Sequence, residues 1–103
     1  MTLTEAEDGH EVVLAVGDEL VVLLDENPTT GYRWAVTCAE GFELAEDSYE
    51  PAQPMAFGSG GRRELHFRAT AAGRAELELS HRQEWEGEGS ARGHFRARAL
   101  VTG

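Results

Sequence analysis

The stretch Glu64–Ser80, ELHFRATAAGRAELELS, decides the fold of this 103-residue chain. Apolar and polar residues alternate on both sides of its turn sequence Ala71-Ala72-Gly73, and the apolar positions are Leu65, Phe67, Ala69, Ala75, Leu77 and Leu79. A period of two residues is typical of a β-strand with one buried face. The stretch therefore predicts two consecutive half-buried strands joined by a turn.

The same alternation continues towards both ends of the chain. It recurs in Val12–Val16, Leu20–Leu24, Tyr32–Val36 and, after a polar loop from about Arg82 to Arg92, in Phe95–Val101. Phe42 and Leu44 lead into an acidic stretch that ends in Pro51 and Pro54, and no long window has apolar residues at helical spacing. Six to eight short strands in about a hundred residues predict an all-β domain, namely a β-sandwich with Greek-key connections, with a small barrel as the alternative.

The length of 103 residues fits one domain, which we expect to span residues 1–103. Cys38 is the only cysteine, so no disulfide can form within the chain and the fold depends on burial of apolar side chains. No run approaches the roughly 18 apolar residues of a membrane span, and the N-terminus lacks the pattern of a secretory signal. We expect no membrane partner, and either a cytoplasmic protein or the mature form of an exported one.

The formal net charge of −10 argues against nucleic acid as a partner, because phosphate binding requires clustered basic residues. The charge is unevenly distributed, since the first 61 residues carry 13 acids and one Arg, whereas the remainder carries eight Arg and six acids. Opposite charges in the two parts can pair across a sheet. Ordinary solvated strand faces explain the same distribution.

Three connections are longer or richer in glycine than a hairpin requires. In the first, Asn27–Tyr32 (NPTTGY), Pro28 fixes its own φ and Gly31 is able to adopt a positive φ, which predicts a rigid loop. Residue types alone favour a purely structural Asx-type turn, in which Asn27 caps backbone amides, over a recognition loop.

The second connection, Gly58-Ser59-Gly60-Gly61, lets another backbone approach closely. It is a poor phosphate cradle, because no Gly-Lys-Ser/Thr ending or helix follows. The third runs from Arg82 to Gly89 and holds Trp85 among polar residues, either as a binding anchor or as a side chain folded over the sandwich edge.

Together these segments resemble the chagasin family of cysteine-peptidase inhibitors. Asn27–Tyr32 followed by Arg33-Trp34 resembles the family motif NPTTG(Y/F)xW, and Gly58–Gly61 resembles its GxGG loop. The family's Arg-Pro-Trp motif is matched only at Trp85, because Gln83 and Glu84 precede it. Either the Arg function is lost or Arg82 supplies it.

The resemblance implies an immunoglobulin-like β-sandwich of seven to eight antiparallel strands, with the three loops side by side at one end. It implies a reversible, non-covalent inhibitor that occludes the active-site cleft of papain-like cysteine peptidases, acts without a cofactor and is expected to be a monomer. In the family, the first loop covers the catalytic Cys and His of the peptidase, and the other two contact the cleft walls. The implied peptidase-binding residues are Asn27, Pro28, Thr29, Thr30, Gly31, Tyr32, Gly58, Ser59, Gly60, Gly61, Gln83 and Trp85.

Two other functions compete with this interpretation. A thiol hydrolase using Cys38 with one of the four His is rejected, because no catalytic signature surrounds the cysteine and the His lack metal-ligand spacing. A non-inhibitory interaction module using the same loops remains the alternative, since a fold does not fix a function.

Overall fold

The computed structural model describes residues 1–27, 30–51, 60–83 and 91–103. These ranges contain a 3₁₀ turn at Glu5–Glu7, no α-helix, and eight strands. The strands are β1 (Thr2–Leu3), β2 (Glu11–Ala15), β3 (Glu19–Glu26), β4 (Tyr32–Glu40), β5 (Phe42–Pro51), β6 (Gly61–Ala69), β7 (Gly73–Gln83) and β8 (Gly93–Thr102). The predicted all-β class is confirmed.

The strands form two four-stranded sheets. The first sheet has the order β1-β3-β6-β5 and the second has the order β2-β8-β7-β4. The pairs β5/β6 and β7/β8 are neighbours within one sheet, whereas every other connection between consecutive strands takes the chain from one sheet to the other. This connectivity agrees with the predicted sandwich rather than with the alternative of a small barrel.

The core lies between the sheets, on the faces that the alternation predicted. Leu20, Val22 and Leu24 of β3 are fully buried, and they face the buried positions of the second sheet. The buried residues of the later strands are Leu65, Phe67, Ala69, Ala75, Leu77, Leu79, Phe95, Ala97, Ala99 and Val101. The alternation is wrong at Val16, which lies beyond the end of β2 and is exposed. Leu44, which precedes a register shift in β5, is also exposed.

Two strand pairings differ from the antiparallel arrangement that we expected. Strand β1 pairs with β3, and β2 pairs with β8, in parallel. The N-terminal segment supplies an edge strand to each sheet, and neither of these strands is joined to its partner by a hairpin. Only a hairpin connection forces an antiparallel pairing, so these edge strands are able to run the other way.

The acidic stretch after Phe42 forms strand β5, which the sequence did not predict. It is an edge strand that pairs along its whole length with β6, and most of its side chains are exposed. A charged edge strand lacks the alternation of a half-buried one, and its charges discourage pairing with other chains. Asp47 of this strand makes a bidentate contact with Arg63 of β6, so an acid of the first part of the sequence pairs with an arginine of the second across the sheet.

Candidate functional site

The three unusual connections all leave the sandwich at the same end, which we call the loop end. The end of β3 pairs with the start of β6 through Glu26 and Gly61, and Gly61 also pairs with Pro51 at the end of β5. In the second sheet, Tyr32 at the start of β4 pairs with Gln83 at the end of β7. The β3–β4, β5–β6 and β7–β8 connections therefore begin and end beside one another.

Seven of the twelve predicted contact residues lie in the described part of the chain, and the structure brings them together at the loop end. They are Asn27, Thr30, Gly31, Tyr32, Gly60, Gly61 and Gln83. The other five lie outside the described residues; they are Pro28, Thr29, Gly58, Ser59 and Trp85.

The first loop is closed by its own hydrogen bonds. The carbonyl oxygen of Asn27 accepts from the amide of Thr30 at 3.1 Å and from the Thr30 hydroxyl at 2.8 Å. The same hydroxyl oxygen accepts from the Tyr32 amide at 3.3 Å, and Gly31 has a φ of 80°. The positive φ that the sequence predicted at Gly31 is confirmed. Asn27 and Thr30 are thus bonded directly to each other on the two sides of residues 28–29, and Thr30 is exposed.

The second loop ends directly against the first. A Cβ added at Gly60 would lie 3.3 Å from the Glu26 carbonyl oxygen and 3.6 Å from the Asn27 Cβ. At Gly61, which is buried, an added Cβ would lie 2.2 Å from the Glu50 carbonyl oxygen. The glycines permit this close approach of backbones, as the sequence predicted.

The ends of the third loop carry an aromatic cluster that the sequence analysis missed. The rings of Trp34 and His81 stack with centroids 4.8 Å apart, and Tyr32 meets the edge of His81 at 5.7 Å. The guanidinium of Arg92 lies 3.9 Å from the centroid of Tyr32, and the Arg92 amide donates to the His81 carbonyl at 2.9 Å. Arg92 therefore places an exposed cation at the loop end.

These neighbours have no common sequence spacing that could have revealed them. The sequence analysis assigned Arg92 only to a polar loop, and it did not predict His81 as a residue of the loop end. Arg82, proposed from the sequence as a substitute for the family's Arg, lies in β7 opposite Arg33 of β4. Arg92 is a second candidate for that cation. Burial lowers the pKa of His81, with a further contribution from Arg92, so its ring is neutral near pH 7.

A polar cluster lies between the sheets at the base of the first loop. The buried Glu26 accepts a hydrogen bond from Arg63 at 3.0 Å, and Arg63 in turn makes a bidentate contact with Asp47. Hydrogen bonding to Asp47 raises the pKa of Arg63, and the same contact lowers the pKa of the Asp47 carboxyl. Asp47 and Arg63 therefore carry opposite charges at neutral pH and neutralise each other locally.

The structure offers little support for a metal or thiol site in the described part of the chain. There, no group of three or more His, Cys, Asp or Glu is arranged to hold a metal ion. Cys38 is half-buried in β4, with its sulfur 3.9 Å from the Glu76 carbonyl oxygen. Among the described residues, no helix has the length and apolar character to cross a membrane.

Comparison with known sequences identifies a family. The profile described as "Chagasin family peptidase inhibitor I42" matches residues 13–98. Amoebiasin-1 of Entamoeba histolytica is 32% identical over 89 residues, which cover 82% of this chain and 84% of that protein. Chagasin of Trypanosoma cruzi is 30% identical over 91 residues, covering 82% of this chain and 83% of that protein.

Comparison with solved structures supports the fold. The cysteine protease inhibitor EhICP2 from Entamoeba histolytica superposes with a TM-score of 0.86 at 23% identity, covering 97% of this chain and 93% of that one. PbICP-C, whose structure was solved in complex with falcipain-2, superposes with a TM-score of 0.63 at 15% identity and covers 98% of each chain. At these identities the likeness shows the fold alone, and it supports the predicted sandwich.

Proposed function

Because the chain belongs to the chagasin family of peptidase inhibitors, we propose that it is a reversible, non-covalent inhibitor of papain-family cysteine peptidases and occludes their active-site cleft with its loop end. The family consists of inhibitors rather than enzymes, in agreement with the rejection of a thiol hydrolase. The observation that carries the proposal is the convergence of three loop bases on one end of a rigid sandwich.

The first loop is the part that enters the cleft. Thr29, Thr30 and Gly31 cover the catalytic centre of the peptidase, with Asn27, Pro28 and Tyr32 forming the base of this wedge. The hydrogen bonds from Thr30 to Asn27 support this function, because a turn that is already closed loses little conformational entropy on docking. A backbone held in this turn resists the extended conformation that a cleavable substrate must adopt.

The other two loops contact the walls of the cleft. Gly58, Ser59, Gly60 and Gly61 make backbone contacts on one side, and Gln83 and Trp85 contact the other. A standard protein–protein interface buries roughly 1,600 Å² in total, and three adjacent loops on a small sandwich are sufficient for this area. Trp85 is the expected anchor, because truncating such an aromatic typically costs about 2 kcal/mol or more of binding free energy.

The mechanism needs no covalent bond or cofactor. Cys38 lies in the part of β4 that pairs with Glu78, well along the strand from Tyr32 at the loop end. We propose that the domain of residues 1–103 acts as a monomer, with papain-like peptidases and not nucleic acid or membranes as its partners. The net charge of −10 supports the exclusion of nucleic acid.

The test is a titration of active-site-quantified papain, and of a cathepsin L-like enzyme, with this protein. We expect inhibition that is complete at micromolar protein and is reversed by dilution. Thr30→Ala and Trp85→Ala should each raise the inhibition constant, by roughly tenfold or more for Trp85. Thr70→Ala is the matched control, because Thr70 is exposed at the opposite end of the sandwich and pairs with Gly41 only through its main-chain amide in the bonds described.

Two results would contradict the proposal. Full peptidase activity at micromolar protein would favour the non-inhibitory interaction module for these targets. Unchanged inhibition constants for Thr30→Ala and Trp85→Ala, with both variants folded, would show that another surface binds the peptidase.

A further inference from the structure

Glu26 is a buried carboxylate at the last position of β3, immediately before the first loop. The residue is 2% exposed, and its side chain is surrounded by partners from both sheets. A buried charge destabilises a fold unless it is paired and hydrogen-bonded, so a glutamate at this place requires a reason.

Donors from two sheets converge on this carboxylate. Its Oε1 accepts from the Trp34 amide at 2.8 Å and from Arg63 Nη1 at 3.0 Å. Its Oε2 lies 3.8 Å from Arg33 Nε. Arg63 belongs to β6 in the first sheet, whereas Arg33 and Trp34 belong to β4 in the second. The side chain of Glu26 thus joins the two sheets where the loop passes between them.

The contacts of Glu26 replace the main-chain hydrogen bonds that join the two ends of a hairpin loop. Strands β3 and β4 lie in different sheets, so the main-chain bonds of a hairpin do not hold the two ends of the first loop together. The bond from the Trp34 amide to Glu26 does so instead, together with the bond from Trp34 Nε1 to the Asp25 carbonyl oxygen at 2.9 Å. Both bonds span the base of the loop.

We propose that Glu26 is a positioning residue for peptidase inhibition, whose carboxylate clamps the base of the first loop between the two sheets. This inference rests on the proposed function for its effect on inhibition, although the clamp itself is a property of the free protein. Glu26 does not touch the peptidase. It acts through Asn27 and Thr30 by fixing where the loop leaves β3.

The clamp needs an acceptor oxygen at this position. The Trp34 amide and Arg63 Nη1 both donate to Oε1, whereas Oε2 lies 3.8 Å from Arg33 Nε, beyond hydrogen-bond distance. Glutamine would keep an oxygen that accepts both bonds, but methionine has a side chain of similar length without an oxygen. Glu26→Met therefore removes the clamp while the side chain still fills the space.

The experiment compares Glu26→Met with Val101→Ala. Val101 is 2% exposed and lies near the opposite end of β8, so its truncation destabilises the domain without touching the loops. In Glu26→Met we expect the amides of Thr30 and Trp34 to exchange with solvent roughly tenfold faster or more, and the inhibition constant for papain to rise roughly tenfold or more. Val101→Ala should leave the amide exchange rates and the inhibition constant unchanged, even if it lowers the unfolding midpoint as much as the Glu26 variant does.

The outcomes separate the clamp from the proposed function. If the wild type does not inhibit papain, the proposed function fails. Amide exchange still tests whether Glu26 holds the base of the first loop. Equal exchange rates for Thr30 and Trp34 in Glu26→Met and wild type would overturn the inference, as would equal losses of inhibition in Glu26→Met and Val101→Ala. If Glu26→Met fails to fold, Arg63→Lys is the second variant, because it keeps the cation but loses the forked contact with Asp47 and Glu26. An unchanged Thr30 exchange rate in Arg63→Lys would also overturn the inference.

Discussion

The close approach of β5 to Gly61 gives the sharpest prediction about the base of the second loop. A Cβ at this position would lie 2.2 Å from the Glu50 carbonyl oxygen, 2.6 Å from the Tyr49 hydroxyl and 2.8 Å from the Pro51 Cα. Two of these three atoms belong to backbone, which cannot move without displacing the strand. Gly61→Ala therefore forces β5 outwards by about 1 Å, and overpacking of this kind costs roughly 1–3 kcal/mol of unfolding free energy.

We expect the upper part of this range for Gly61→Ala, about 2–3 kcal/mol, because the strand on the other side, β3, holds Gly61 against Glu26. For a domain of this size, such a loss corresponds to a fall in the melting temperature of roughly 10–20 °C. Urea denaturation followed by circular dichroism measures the free energy, and a thermal scan measures the melting temperature.

Gly93→Ala is the matched control at the base of the third loop. Its added Cβ would lie 3.5 Å from the His81 Cβ and 3.8 Å from Trp34 Cη2, which are ordinary contacts, and Gly93 does not have a positive φ. We expect a change within about 0.5 kcal/mol, or a slight stabilisation from the less flexible unfolded chain. The reasoning is refuted if Gly93→Ala destabilises the domain as much as Gly61→Ala, or if Gly61→Ala unfolds at the same urea concentration as the wild type.

Two further predictions concern charge at neutral pH. Hydrogen bonding to Glu19 raises the pKa of His66 and burial lowers that of His81, each from an ordinary value of 6.5, so an NMR titration should find His66 protonated at a higher pH than His81. The contribution of His66 to stability is then present below pH 6.5 and is lost as the pH rises through its folded pKa. His81 acts in the opposite direction, because it destabilises the fold as the pH falls below 6.5. The reverse order of titration would contradict both assignments. Arg92→Ala should remove the contact with Tyr32, lower the free energy of unfolding by about 0.5–1 kcal/mol and weaken papain inhibition several-fold. Arg68→Ala, at an exposed position of β6, is the control. Equal inhibition constants for the two variants would show that Arg92 takes no part in binding.

The fold was predictable where strands bury one face. Leu65 and Phe67 alternate with polar residues because they point between the sheets, and the buried positions of β7 and β8 follow the same rule. The rule fails at β5, because an edge strand with most side chains in solvent has no buried face to impose a pattern. It also cannot give the parallel direction of β1 and β2, since this depends on which sheet edge each segment joins.

The site was predictable only as far as local geometry dictates residue type. Gly31 was identifiable because its positive φ favours glycine, and Gly60 and Gly61 because backbones approach them closely. Glu26 and Arg63 were not identifiable, because 37 residues separate them and either would pass as an ordinary surface charge. Their pairing is a consequence of the tertiary fold, and no local sequence pattern encodes it.

The most direct test of the central claim is binding to papain whose cleft is either empty or filled. One sample carries a small methylthio group on its catalytic cysteine, and the other carries a peptidyl epoxide that occupies the cleft covalently. Calorimetry should detect binding of this protein to the methylthio form, since the loop end needs no thiol chemistry, and no binding to the epoxide form. Equal affinity for both forms would contradict the account, because it would place the contact surface outside the cleft.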